Sequence, residues 1–308
     1  MNPIPKDPRY FLGIDLGGSR IKSVVVTDDG SVLEEHTLPF EDSGMQWAAR
    51  IRELVIGLEL RRGRPEAIGL CAPGLASRDG RCIVHMPGRL HGLEGLDWRD
   101  FLGHPGPLSV LNDAHAALLG EAWIGAAQGL RQVVMLTLGT GVGGAALVDG
   151  RLLRGHLGRA GHLGHITLDS RAENDDVGTP GSLEMAIGNK TVHARSHGRF
   201  SSTRDLVEAA RHGDPLAVAV WEESVRGLAV GINSLINALD PEAVILGGGI
   251  AQAGPFLFDR LQEILARHEW RPLGSGVRIL PARLGELAGA HGAARQAINL
   301  SDATQRVD

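Results

Sequence analysis

Apolar positions fall into short β-like runs separated by longer helical stripes. Tyr10–Asp15 is apolar and β-prone, Leu16–Arg20 holds the Gly17-Gly18 turn, and Ile21–Val26 becomes β-branched, which predicts strand, turn, strand. Asp28-Asp29-Gly30 turns the chain into a third strand at Ser31–Leu38. Ile51, Leu54, Val55 and Leu58 recur at helical spacing and predict a helix over Trp47–Leu60. Ala67–Cys71 reads as a buried strand before the Pro73-Gly74 turn, Ser109–Leu111 as another, and Ala114–Trp123 as the helix after it. The pattern then restarts, with strands at Gln132–Leu138 and Ala145–Val148 around a Gly-rich turn, Gly139–Gly144, and a further strand from Arg151. Asp214-Pro215 caps a long helix with a broad apolar face that Asp240-Pro241 stops. Ala243–Leu246 is a buried strand running into Gly247-Gly248-Gly249, and Pro255–Ala266 is the next helix. Two half-chains, each opening on a hairpin with a Gly-rich turn, predict a duplicated α/β architecture with mixed sheets. Asp169–Gly181, polar and rich in turn residues, reads as the one flexible segment.

Composition narrows the class. A chain of 308 residues with 43% hydrophobic and 22% charged residues is of ordinary globular make-up, long enough for two domains. A net charge of −5 argues against a general partner among nucleic acids or anionic membranes. There is no run of ~18 apolar residues to span a bilayer, and Met1–Tyr10, with three prolines, does not read as a signal peptide. Two cysteines, Cys71 and Cys82, cannot form a disulfide framework and suit a reducing cytoplasm. Lysine is scarce: Lys6, Lys22 and Lys190 stand against 28 arginines, a bias that reads as codon usage. Glycine, at 43 residues, is about twice its ~7% average share.

The candidate chemistry lies in the turns. Gly139-Thr140-Gly141-Val142-Gly143-Gly144 fits the dinucleotide fingerprint formally, but a strand follows it where a helix is required. The better reading is two hairpin turns whose backbone amides face one polyphosphate, glycine permitting positive φ and close approach; ordinary Gly-rich hairpins are the alternative. Asp15, beside the first turn, is suited to holding magnesium through water. Asn112-Asp113, between strand and helix, serves either as a helix cap or as a carboxylate at the strand's carboxyl end, where open α/β sheets place their ligands. His156, His162 and His165 cluster within twelve residues. Without a nearby cysteine they read as polar ligand contacts or surface histidines before a metal site.

In order along the chain, these segments resemble the ROK family of bacterial sugar kinases and repressors, within the actin-like ATPase superfamily. Gly13–Lys22 looks like its first phosphate loop and Pro73-Gly74 like its sugar-side turn. Leu111–Ala114 with Gly120-Glu121 resembles the catalytic segment, Leu138–Gly144 with Asp149-Gly150 the second phosphate loop, and Leu246–Ile250 the adenosine segment. The resemblance implies a duplicated actin-like (ribonuclease H-like) fold, two lobes with a central cleft. The lobes would span 1–122, completed by a C-terminal helix near 288–300, and 123–287. It implies ATP and Mg2+ as cofactors, a small-molecule sugar as partner, and a homodimer. Asp113 would be the general base, Gly74, Asn112, His162, His165 and Glu184 the sugar contacts, and Asp15 the magnesium support. Asp15, Gly17, Gly18, Ser19, Lys22, Gly139, Thr140, Gly141, Gly143, Gly247, Gly248 and Gly249 would form the nucleotide site.

Two departures from the family pattern matter. Glu-x-Gly-His stands here as His162-Leu163-Gly164-His165, and the usual Pro-Asn as Pro87-Gly88, so hydroxyl preferences on the sugar should differ. The zinc cysteines align with Asp175, Val177 and Ser182, leaving the frame and Glu184 but no thiolates, so no structural zinc is expected. The expected activity is ATP-dependent phosphorylation of a hexose or hexose derivative. The alternatives are a catalytically silent or sugar-sensing protein, for which the first ten residues leave no room for a winged helix, and a kinase using another donor such as polyphosphate.

Overall fold

A computed structural model describes residues 9–305, so the N-terminal stretch read above as lacking a signal peptide lies largely outside the described residues. The chain divides into two units. The first runs through Gln128, takes Arg154–Arg159 and resumes at Glu286; the second comprises Gly129–Leu153 and Ala160–Gly285.

In the first unit β1 (Phe11–Leu16), β2 (Arg20–Val26) and β3 (Val32–Pro39) form an antiparallel meander. β4 (Ala67–Ala72) extends the sheet, and β5 (Leu75–Ala76) and β6 (Ile83–His85) form a small separate hairpin. β7 (Leu108–Asn112) is the far edge, giving the order β3-β2-β1-β4-β7 with β1, β4 and β7 parallel. Alternation along β1 sorts its side chains. Leu12, Ile14 and Leu16 pack with Trp47, Ile51, Val55 and Leu58 of the helix Gln46–Arg62, the stripe predicted from spacing. Phe11 faces the other side, against Ala290, Ala294 and Ala297 of the helix Ala288–Gln305.

That helix lies in backbone contact with the sheet. A Cβ on Gly13 would fall 2.0 Å from the Ala290 carbonyl oxygen, and one on Gly69 would fall 1.8 Å from that of Ala293. Gly292, in turn, meets the Ala116 carbonyl of the helix Asp113–Ile124. Gly13 therefore serves packing, although it sits inside the segment resembling a phosphate loop.

The second unit repeats the plan. β8 (Val133–Leu138), β9 (Val142–Val148), β10 (Arg151–Leu152), β11 (Ala243–Gly247) and β12 (Arg278–Pro281) lie in the order β10-β9-β8-β11-β12. β10, β9 and β8 are antiparallel neighbours, while β8, β11 and β12 are parallel, matching β3-β2-β1-β4-β7 strand for strand. Its core sets Val134, Leu136 and Leu138 with Trp221, Leu228 and Ile232 of the helix Pro215–Leu239. Asp214 caps that helix through the Ala217 amide at 2.9 Å, and Asp240 ends it at φ +45°. Among the described residues no helix is long and apolar enough to cross a membrane.

Asp169–Gly181, read as flexible, is tied down. The Leu168 amide donates to Gly181 O at 2.8 Å, Gly181 to Glu173 O at 2.9 Å, and Asp175 to Thr179 O at 2.9 Å. Backbone hydrogen bonds hold the segment, while Asp169, Arg171, Glu173 and Asp176 stay exposed and Asp175 alone among its acidic residues is buried.

Candidate active site

In the first unit, β1 and β2 are joined at Gly17-Gly18-Ser19, closed by the Gly17 amide donating to Arg20 O at 3.0 Å. Register places Asp15 opposite Lys22 on β2 and beside Cys71 on β4. The Asp15 side chain points with Phe11 and Gly13 toward the helix Ala288–Gln305, where Gly289 leaves it room: a Cβ there would lie 2.9 Å from Asp15 Oδ2. The Cys71 thiol donates to Asp15 Oδ1 at 3.5 Å. Burial, then the charge of Asp113, push the Asp15 carboxyl up to about 6, against the opposing pull of Lys22. Burial and the charge of Asp15 raise the Cys71 thiol well above its ordinary range. Asp15 and Asp113, 98 positions apart in sequence, thus share one electrostatic environment.

Asn112 is the helix cap, its Oδ1 accepting from the amides of Ala114 at 2.9 Å and His115 at 3.2 Å. Its Nδ2 donates to Gly74 O at 3.0 Å, fixing the sugar-side turn on the end of β7. Gly74 sits at φ +99°, and a Cβ there would strike the His85 carbonyl oxygen at 2.5 Å, so only glycine fits. Asp113 opens the helix half-buried, its Oδ1 accepting from the Ala114 amide at 2.8 Å.

In the second unit, β8 and β9 turn at Gly139-Thr140-Gly141, closed by the Gly139 amide on Gly141 O at 2.9 Å. A strand follows, as the rejection of the dinucleotide fingerprint requires. None of the glycines in the two hairpin turns adopts the left-handed backbone that the sequence argument invoked. Space constrains Gly141 and Gly144: a Cβ on Gly141 would fall 1.9 Å from Glu184 Oε2, and one on Gly144 would fall 2.6 Å from Leu163 Cβ. Gly248 is the exception, at φ +85° with the Leu138 carbonyl oxygen 2.3 Å from where its Cβ would be. The adenosine-type segment is thereby seated on the residue preceding the second turn, while Gly249 is open, with nothing within 4 Å.

Glu184 is placed against the second turn. Its Oε2 accepts from the Val142 amide at 2.9 Å, and its Oε1 from Lys190, whose Nζ also reaches Asp176 Oδ2 at 2.7 Å. The amides of Asn189 and Lys190 donate to Gly139 O and Thr140 O, both at 2.9 Å. The sequence motifs assign Lys190 no role, and Asp176 reads there only as one of the acidic residues near the histidines. The signal was there in the lysine count: in a chain that otherwise uses arginine, both described lysines, Lys22 and Lys190, stand at the two glycine hairpins.

His162 and His165 bracket a short 3₁₀ turn, Leu163–His165, laid on β9, where a Cβ on Gly164 would meet Val142 O at 1.9 Å. His165 Nδ1 lies 2.8 Å from Asp175 Oδ2, so its partner is the residue aligned with the first family cysteine. Asp175 Oδ1 accepts from the amides of Val177 and Thr179 at 3.0 and 2.8 Å. Burial alone would raise this carboxyl, but the bonds from His165 and the two amides outweigh it and hold it down at about 2. Among the described residues no three His, Cys, Asp or Glu side chains converge as a metal site. His156 is exposed in the first unit and joins neither group.

The chain matches the ROK family over residues 11–299. It is 30% identical to the glucokinase of Halalkalibacterium halodurans, over 92% of this chain and 93% of that protein. Among solved structures, the ROK hexokinase from Thermus thermophilus superposes with a TM-score of 0.83 at 32% identity, over 95% of this chain and 99% of that one. A ROK family glucokinase from Streptomyces griseus, in complex with glucose and AMPPNP, gives 0.78 at 28% identity, over 94% and 99%. The strand order repeated in both units is the actin-like plan that the motifs implied, and the chain belongs to the ROK family.

Proposed function

We propose that the protein is an ATP-dependent sugar kinase acting on a hexose or hexose derivative, with Asp113 as general base. The glucokinase and hexokinase relatives support sugar phosphorylation in general. The observation that carries the finer reading is the division of labour at the end of β7. Asn112 takes the capping role, so Asp113 remains half-buried at the strand's carboxyl end as a base. Its carboxylate accepts the proton of the attacking sugar hydroxyl as the new O–P bond forms. The bond from the γ-phosphorus to its bridging oxygen breaks, and ADP leaves with that electron pair. Such a base contributes ~10²–10⁴-fold, the rest of the catalysis being positioning and electrostatics.

The backbone of Gly17-Gly18-Ser19, with Lys22, and of Gly139-Thr140-Gly141, with Gly143, would hold the phosphates. Gly247-Gly248-Gly249 would face the nucleoside, and Gly74, Asn112, His162 and His165 the sugar. Glu184 would complete the sugar contacts, and it also holds the Val142 amide of the second turn. Magnesium fits the residues present: Asp15 is a hard oxygen donor, buried and under the charge of Asp113, so a nearby cation would relieve both. When bound, held by Asp15 through water, it neutralises charge on the phosphates.

The test is ADP release over a panel of hexoses and amino- or acylamino-hexoses, with ATP and polyphosphate as donors. A sugar-sensing protein is the second reading, favoured by His162 in place of the family's Glu. Calorimetry separates the two, because a sensor binds sugar tightly without turnover.

A further inference from the structure

Arg89 has no place in the chemistry derived so far. It lies in the loop after β6, between Gly88 at φ +80° and Leu90 at φ +50°. A left-handed backbone is strained for a branched side chain such as leucine and persists only where the surroundings enforce it. Here they do. Leu90 is 1% exposed, its amide donates to Asp42 Oδ2 at 3.0 Å, and its carbonyl accepts from the Leu93 amide at 2.9 Å. Anchored on this side, Arg89 sets its guanidinium on the first glycine turn: a Cβ added to Gly18 would lie 1.9 Å from Arg89 Nη2.

The charge at that spot is unmatched. Arg20 and Lys22, which flank the turn on β2, each lie 3.7 Å from Glu286 Oε2. Arg89 makes no ion pair among the described residues. A guanidinium is a planar fork of donors that suits the oxygens of a phosphoryl group, and held against glycine backbone it adds a forked side-chain donor to the turn's amides and Lys22.

We propose that Arg89 contacts the phosphoryl group in transit, as a catalytic residue of the kinase reaction, with Gly18 kept bare so that the guanidinium can lie on the turn. This rests on the kinase reading above. The group bound is a tetrahedral phosphate, either the terminal phosphate of the donor or that of the sugar product, and the interaction strengthens as charge spreads over its oxygens.

The experiment compares wild type with Arg89→Ala, Arg89→Lys, Gly18→Ala and the double variant Arg89→Ala/Gly18→Ala. Arg89→Ala should lower kcat by about 100-fold or more while leaving sugar KM within about threefold. Arg89→Lys should restore part of it. Gly18→Ala should displace the guanidinium and lower kcat, and the double variant should be no worse than the worse single one. Affinities for ADP and for the sugar phosphate, taken by calorimetry on the same proteins, tell the two sources apart. Retention of more than a third of kcat in Arg89→Ala overturns the proposal. If wild type turns over no sugar with any donor, the kinase reading fails instead. Titration with inorganic phosphate then decides on Arg89: at least tenfold weaker binding in Arg89→Ala supports the contact, and no difference overturns it.

Discussion

His165 Nδ1 stands 2.8 Å from Asp175 Oδ2, and the Asp175 side chain is wholly buried. The same carboxylate takes the amides of Val177 and Thr179, so three hydrogen bonds converge on the residue aligned with the first family cysteine. Asp175→Ala should orphan two amides and the imidazole and lower stability by about 2 kcal/mol, read from urea unfolding. Incubation of wild type with a chelator should leave its Tm unchanged, because hydrogen bonds close this turn.

The same carboxyl sets an acid limit. Its pKa in the fold, about 2, lies below the ordinary 3.8, so the unfolded chain binds the proton more readily. The stabilisation is therefore fully present above about pH 4 and lost as pH falls toward 2. The Tm difference between wild type and Asp175→Asn should shrink as pH falls below about 4. A difference unchanged down to pH 2.5 would contradict this origin.

Packing glycines and candidate ligand glycines should separate by stability. Gly13→Ala and Gly69→Ala place a methyl group on helix backbone at 2.0 and 1.8 Å, and each should cost at least about 2 kcal/mol by overpacking. Gly139 has nothing within 4 Å of its Cβ position, so Gly139→Ala should keep stability within about 0.5 kcal/mol. Any loss of ATP binding in Gly139→Ala then reports the turn itself, which calorimetry can measure.

Glu184 and Lys190 should behave as a coupled pair. Glu184→Ala leaves the Val142 amide without its acceptor, and Lys190→Met leaves the Glu184 carboxylate without its cation. A double-mutant cycle on unfolding free energy should give a coupling of about 0.5–3 kcal/mol, with ATP affinity falling in both single variants. Additive effects would mean that the pair does not hold the second turn.

Sequence patterning revealed what repeats. The strand and helix periods, the Asp214 cap and the strand after Gly144 were all legible because each depends on neighbours in sequence. What escaped depends on distant backbone. Gly13 and Gly69 look like loop or strand glycines until a helix 220 or more residues later lies on them. Glu184 reads as a sugar contact by alignment, and alignment says nothing of the amide 42 positions earlier and the lysine that hold its carboxylate. Asp175 reads as a lost ligand because a cysteine pattern says nothing of the hydrogen bonds a carboxylate makes in its place. Of the 43 glycines, ten fall in the three candidate nucleotide segments, and Gly13 among them serves packing.

The central claim is that Asp113 takes the hydroxyl proton of a sugar during transfer from ATP. Coupled ADP release over the sugar panel, wild type against Asp113→Asn, tests it most directly. At least one hexose or hexose derivative should raise ADP release well above the sugar-free rate, and Asp113→Asn, folded by circular dichroism, should lose ~10²–10⁴-fold of that increment. Equal background with every sugar, or full activity in Asp113→Asn, would contradict it.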